Sequence, residues 1–186
     1  MKRSIHLFVL ILVLAVSLWA SSLQAATTVQ VYFQPGDVFV GPQQDFMIDV
    51  RANIAADPPE TLDPLTLWDF WLDFDPNALT LTDTVYGSDW DSFDPNLDDP
   101  HLFGSNIDGV SGEQVLLATL YFQFQGDDPT SIGIDSSQAS YFISKQNQDL
   151  DPTFGSASVH PVPLPGSIIL LSFGLMGLIA YRVRSR

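Results

Sequence analysis

The sequence predicts an all-β protein: one antiparallel β-sandwich, preceded by a signal helix and followed by a short transmembrane helix. Apolar and polar residues alternate with a period of two along most of residues 27–160. Turns rich in Pro, Gly and Asp separate these runs, and no helical period interrupts them. The two ends of the chain are instead continuously apolar and flanked by basic residues.

The N-terminus is typical of a secretory signal peptide. Lys2 and Arg3 precede an apolar run over residues 7–16, and small residues at positions 21–26 offer a cleavage site. We expect residues 1–26 to be removed on export. Because the small-residue cleavage rule is only half met, an uncleaved anchor is the alternative.

The first half of the central region contains the clearest strands. Residues 29–34 and 38–40 form short strands around a turn at 35–37, and residues 45–54 alternate without a break. A rigid proline-containing loop at residues 57–64 precedes a strand over residues 67–74. A turn at 75–77 then connects this strand to the next, over residues 78–85. The predicted inward rows are Phe46, Ile48, Val50, Ala52 and Ile54, and then Trp68, Phe70, Leu72 and Phe74.

The second half begins with a weak strand at residues 102–107. The longest strand covers residues 113–125, and short strands follow at 131–134, 139–143 and 155–159. In the longest strand, the predicted inward row is Leu116, Ala118, Leu120, Phe122 and Phe124. Nine or so strands without helices indicate a sandwich of jelly-roll or Greek-key type, and about 135 residues suit one domain.

The charge of the central region excludes some functions. All 22 acidic residues lie there against only Arg51 and Lys145, so its formal charge is −20 with neutral histidines. Such a surface repels phosphate backbones, which excludes nucleic-acid binding, but it suits cations or basic partners. The many aromatic residues argue against disorder. Because the chain has no cysteine, disulfides, thiol nucleophiles and thiolate metal sites are excluded.

One acidic loop is a candidate calcium site. Five aspartates lie within eleven residues: Asp89, Asp91, Asp94, Asp98 and Asp99. Carboxylate oxygens in a flexible loop suit calcium, but the spacing does not match an EF-hand. A solvated acidic loop is the alternative, and no other cofactor is indicated.

Two strand faces are candidate binding surfaces. Trp71 points away from the inward row, flanked by Asp69 and Asp73, which suits sugar stacking or a protein partner's anchor residue. Val115, Leu117 and Tyr121 make the second face of the longest strand partly apolar. The alternative for Trp71 is burial under the second face of the sandwich or under a loop. The alternative for the second face of the longest strand is packing beneath the 57–64 loop.

Catalytic function is not indicated. His101 and His160 are the only histidines of the central region, and neither stands at a recognised spacing from a nucleophile or metal ligand. With this many aspartates, a pair of carboxylates at hydrolase spacing would arise by chance. The sequence therefore predicts a binding module without enzymatic activity.

Three blocks resemble the cohesin-type sandwich domain of cellulosome scaffolds and related exported proteins. They are residues 36–54, residues 70–81 (FWLDFDPNALTL) and residues 116–124 (LLATLYFQF). The resemblance implies a jelly roll of about nine strands, related to carbohydrate-binding modules, that holds a calcium-loaded dockerin on one sheet face. It implies a dockerin-like protein partner. A module that binds exopolysaccharide through exposed aromatics and a calcium-dependent adhesin are the alternatives.

The C-terminal tail has three parts in a fixed order. A proline motif, Val162-Pro163-Leu164-Pro165-Gly166, precedes an apolar run to residue 181, and Arg182, Arg184 and Arg186 end the chain. Sixteen helical residues cover about 24 Å, and flanking groups extend this toward the ~30 Å hydrocarbon core. The arginines would stay on the cytoplasmic side, which leaves the sandwich outside. A buried core helix is the alternative.

This tail resembles the PEP-CTERM sorting signal of bacterial exosortase systems, in its Val-Pro-Leu-Pro variant. Here Leu164 replaces the usual Glu and Gly166 the usual Ala. The resemblance implies an exosortase-type membrane protease as partner, which processes the tail and places the passenger in the cell envelope or the extracellular matrix of a biofilm. The expected organisation is therefore a signal peptide (1–26), a cohesin-like sandwich (27–160) and a sorting signal (161–186).

Overall fold

A computed structural model describes residues 27–56, 62–91 and 100–162, and all regular structure in these ranges is β. Eleven strands follow one another along the chain: β1 (Thr27–Gln34), β2 (Asp37–Val40), β3 (Asp45–Ala56), β4 (Leu65–Phe74), β5 (Leu79–Tyr86), β6 (His101–Val110), β7 (Gly112–Phe124), β8 (Thr130–Ile134), β9 (Tyr141–Ser144), β10 (Pro152–Phe154) and β11 (Ala157–Pro161).

The strands form two sheets. The first has the order β10-β1-β3-β7-β5, and the second has the order β2-β11-β8-β4-β6, with β9 pairing β4 beside β8. The predicted all-β sandwich is thereby confirmed. The signal helix and the transmembrane helix of the prediction lie outside the described residues.

Two strand pairs are parallel, contrary to the antiparallel arrangement expected from the sequence. β1 pairs with β10 and β2 pairs with β11 in parallel register. Two of the chain's crossings from the first sheet to the second produce these pairs, one between β1 and β2 near Gly36 and one between β10 and β11 near Gly155. Because the last two strands return beside the first two in the same direction, both crossings create parallel neighbours.

The core lies between the sheets and is built by the alternation that the sequence shows. The inward rows predicted for β3 and β4 are confirmed, and their fully buried members include Ile48, Val50, Ala52, Trp68 and Phe70. The rings of Trp68 and Phe70 stack with centroids 5.2 Å apart. Burial of each large apolar side chain contributes about 1.5–3 kcal/mol, so these rows fix which face of each strand points outward.

A β-bulge in β7 corrects one predicted site residue. Val50 pairs with Ala118 while the next residue, Arg51, pairs with Leu116, so Leu117 is an extra residue in β7. An extra residue shifts the alternation by one position. Leu117 is therefore fully buried in the core, and its predicted place on an outward binding face was wrong.

Candidate functional site

The second sheet turns the outward residues of β4 toward solvent. Asp69, Trp71 and Asp73 alternate with the buried Phe70 and Leu72, as the period of two predicts. Trp71 is partly exposed and Asp73 is exposed. Trp71 is thus available on the surface.

His101 holds Trp71 and Asp69 in place. It lies opposite Trp71 in the β4–β6 register, and the two rings stack with centroids 4.6 Å apart and an interplanar angle of 24°. The Nε2 atom of His101 lies 2.6 Å from Oδ1 of Asp69. A side chain fixed in this way loses little conformational entropy when a partner binds, so the group is preorganised.

Two more aromatic residues extend this surface. Asp69 pairs in register with Phe103 on one side and with Tyr141 on the other, and Tyr141 is 51% exposed. We define the β4 face as the outward residues Asp69, Trp71, Asp73, His101, Phe103 and Tyr141. Aromatic side chains beside carboxylates are typical of surfaces that anchor a partner.

A groove of about 430 Å³ continues the β4 face toward the N-terminal end of β4. Its lining includes Leu67, Asp91, Ser105, Ile143 and Lys145. The ammonium group of Lys145 donates to the backbone oxygen of Asp108 at 2.9 Å. The positive charge of Lys145 therefore lies at the end of the β4 face that is farthest from Asp73.

Asp135 lies beside Trp71 at the other end of the face. Its backbone N–H donates to the Trp71 carbonyl at 2.8 Å. Its carboxylate accepts the Ser137 hydroxyl at 2.6 Å and the Ser137 N–H at 2.8 Å. These bonds, the hydroxyl first, lower the pKa of Asp135, so its carboxylate stays ionised to a lower pH than an ordinary aspartate.

Tyr121 is far from Asp69, Trp71 and Asp73 in the fold, because it belongs to the first sheet. It lies in β7 opposite Met47, and the two side chains are 36% and 61% exposed. The outward faces of the two sheets point in opposite directions. The structure brings Asp69, Trp71 and Asp73 together but places Tyr121 elsewhere and Leu117 in the core.

Sequence reasoning missed His101, Phe103 and Tyr141 as members of this surface. His101 and Phe103 are two residues apart, which is the signal of a shared face, but the strand near residue 102 was weakly patterned. Which residues of β6 and β9 lie opposite Asp69 and Trp71 depends on strand register, and register is a tertiary property.

The described residues cover the candidate calcium loop only in part. Asp91 forms a two-bond backbone bridge with Ser105, and the backbone oxygen of Asp89 accepts a bond from the Asn106 amide. The other members, Asp94, Asp98 and Asp99, lie outside the described residues. Within 27–56, 62–91 and 100–162, no group of three or more His, Asp or Glu residues is placed to hold a metal ion.

The sorting motif begins at the last described residue. The N–H of Val162 donates to the carbonyl of Val40 at 2.9 Å, which continues the pairing of β11 with β2. Pro163, Leu164, Pro165, Gly166 and the three terminal arginines lie outside the described residues. In the part of the chain that the structure covers, no helix is long and apolar enough to span a membrane.

Several solved structures similar to this chain are cohesins. A chain of a type I cohesin–dockerin complex from Clostridium thermocellum is matched over 73% of this protein and 99% of its own length, at 12% identity and a TM-score of 0.53. A non-cellulosomal cohesin from the archaeon Archaeoglobus fulgidus is matched over 77% and 96%, at 15% identity and a TM-score of 0.56. The chain has a cohesin-like fold.

A third similar structure is the cohesin module of a family 33 glycoside hydrolase from Clostridium perfringens. It is matched over 74% of this chain and 97% of its own, at 10% identity and a TM-score of 0.50. No family model matches the sequence, and no curated protein sequence matches it. At these identities the similarity establishes the cohesin-like fold expected from the three sequence blocks.

Proposed function

We propose that this protein is an exported, non-catalytic module that binds a protein partner through the β4 face. The observation that carries the proposal is the partly exposed Trp71, which stacks on His101 beside several carboxylates, one of which, Asp69, bonds His101. The C. thermocellum cohesin of the same fold was crystallised with a dockerin, which is a protein module. A dockerin-like module is the partner class that this combination favours.

The experiment compares capture of a partner by two faces of the same molecule. The full chain, the Trp71→Ala variant and the Tyr121→Ala variant are immobilised and exposed to extracellular extract of the producing cells. We expect a protein captured by the parent chain to be lost with Trp71→Ala and kept with Tyr121→Ala, because Tyr121 lies on the other sheet. Equal capture by all three would contradict the β4 face as the binding surface.

A second candidate function is polysaccharide binding. It is favoured by the presence of Trp71, Phe103 and Tyr141 on one face, since aromatic side chains stack on sugar rings. Binding to an exopolysaccharide, in a pulldown that Trp71→Ala abolishes, would support this function. In that case the protein partner would be absent from the captured fraction.

Calcium is proposed as an ion that orders the acidic loop and thereby supports a calcium-dependent adhesin. Asp89 and Asp91 lie at the start of that loop, and further aspartates follow. The test is the melting midpoint of the chain in millimolar calcium and in excess chelator. An unchanged melting midpoint would contradict a role for calcium in this protein.

Export and sorting are proposed from the two ends of the sequence. The membrane helix would hold the sandwich on the extracytoplasmic side of the cytoplasmic membrane until an exosortase-type protease processes the tail near residues 162–166. When Arg182, Arg184 and Arg186 are all replaced by Ser, the protein should remain unprocessed, because these charges keep the end of the membrane helix on the cytoplasmic side. Normal processing of that variant would refute the proposal.

A further inference from the structure

We infer that the β4 face selects a basic partner segment, and that an arginine side chain of that segment docks beside Trp71. The inference rests on the proposed function in taking the β4 face as the binding surface. It goes beyond that function in naming the residue type that the partner must present.

The surface around Trp71 lacks a free cation among the described residues. Of the two basic residues in the sandwich, Arg51 lies on the first sheet and pairs with Asp49 at 2.7 Å. Lys145 lies at the far end of the groove and donates to a backbone oxygen. The sandwich carries 22 acidic residues against these two, so a basic segment is attracted from any direction of approach.

Carboxylates are concentrated where the indole is exposed. Asp69 and Asp73 lie two positions before and after Trp71 on the same face of β4. Asp135 follows β8 and is bonded through its backbone to the Trp71 carbonyl. Asp69 is already paired with His101. Asp135 accepts both Ser137 bonds through Oδ1, so its second carboxylate oxygen and the carboxylate of Asp73 remain for a partner's charge.

The geometry of His101 indicates which cation fits best. Its planar imidazole ring stacks on the indole of Trp71 while its Nε2 bonds the carboxylate of Asp69. A guanidinium group is also planar, stacks on aromatic rings and bonds carboxylates through its N–H groups. An ammonium group is a compact, strongly hydrated charge that cannot stack in this way. Arginine is therefore favoured over lysine.

The experiment titrates three blocked pentapeptides into the full ¹⁵N-labelled chain in a neutral detergent. Each peptide has glycines around one central residue: arginine, lysine or citrulline, the last being the uncharged analogue of arginine. The signal is the indole N–H resonance of Trp71, assigned by its loss in Trp71→Phe. The indole resonances of Trp68 and Trp90, which are buried, report that the fold is intact.

We expect a saturable shift of the Trp71 resonance with the arginine peptide. Affinity for the citrulline peptide should be at least about fivefold weaker, in line with a cation–π contact of about 1 kcal/mol. The variants Asp73→Asn and Asp135→Asn should each weaken arginine binding about threefold. The control Asp83→Asn removes one exposed charge from β5, on the other sheet, and should leave the affinity unchanged.

Any of three outcomes would overturn the inference: equal affinity for the arginine peptide and either of the other two peptides, equal weakening by Asp83→Asn and Asp73→Asn, or no binding of the arginine peptide. The second would mean that the peptide senses only the net charge. If the arginine peptide fails while partner capture still depends on Trp71, the inference is wrong and the proposed function stands. If the peptide binds at Trp71 but no protein is captured, the proposed function fails instead.

Discussion

At the scale of single residues, Gly104 of β6 shows how tightly the indole ring of Trp68 is packed against the neighbouring strand. It lies opposite Trp68 in the β4–β6 register, and the indole ring covers it. A β-carbon built there would lie 2.5 Å from Cε2 and 2.6 Å from Nε1 of Trp68. Because Trp68 is fully buried, its ring has little space into which it can move.

We therefore predict that Gly104→Ala lowers the free energy of unfolding by about 2–3 kcal/mol, measured by urea denaturation. Gly133→Ala is the matched control in the neighbouring β8, where the nearest atom would lie 3.9 Å away. That variant should change stability by less than about 1 kcal/mol. Equal losses in both variants would contradict the packing described for Trp68.

Tyr86 gives a prediction about alkaline pH. Burial raises its pKa above the ordinary value of 10.0, and a hydrogen bond with the Phe103 backbone opposes this shift less strongly. A raised folded-state pKa means that the neutral phenol stabilises the fold fully below pH 10. This contribution is lost as the pH rises through the folded-state pKa.

Unfolding free energy measured between pH 9 and pH 12 should therefore fall more steeply for the parent chain than for Tyr86→Phe. The control is Tyr141→Phe, which removes an exposed phenol from the β4 face. If the parent and Tyr86→Phe curves are parallel over this range, the explanation is wrong.

At the scale of elements, the bulge in β7 decides which side of the strand is core. Leu117 is fully buried, whereas Tyr121 of the same strand is 36% exposed. Deletion of a buried leucine side chain leaves a cavity, and we predict that Leu117→Ala costs about 2–5 kcal/mol of stability. Tyr121→Ala should cost less than about 1 kcal/mol, since its ring is partly in solvent.

Chemical denaturation of the two variants measures this difference. A small loss of stability in Leu117→Ala would contradict the burial of Leu117. It would also contradict the explanation that the bulge turns this side chain into the core.

At the scale of the whole molecule, the charge of the sandwich dominates. With 22 acidic residues against two basic ones, like charges repel in the folded state, and salt screens this repulsion. We predict that raising NaCl from 20 mM to 1 M increases the melting midpoint by roughly 2–4 °C, equivalent to about 1 kcal/mol.

The double variant Asp127→Asn/Asp128→Asn, in the β7–β8 connection, should show a smaller salt effect, because it carries two charges fewer. A midpoint that falls with added salt would indicate that attractive ion pairs outweigh repulsion. Arg51–Asp49 is the one pair of Arg or Lys with a carboxylate within the described ranges, which makes that outcome unexpected.

The sequence by itself determined the all-β class, the inward rows of β3 and β4 and the outward position of Trp71. These depend on a local period of two, which each strand carries in its own residues. Only the tertiary structure decided that His101 stacks on Trp71, that Tyr141 lies on the same face, that Leu117 is buried and that β1 and β2 gain parallel neighbours. Register, bulges and strand order arise from pairing between segments far apart in the chain, and no local pattern encodes them.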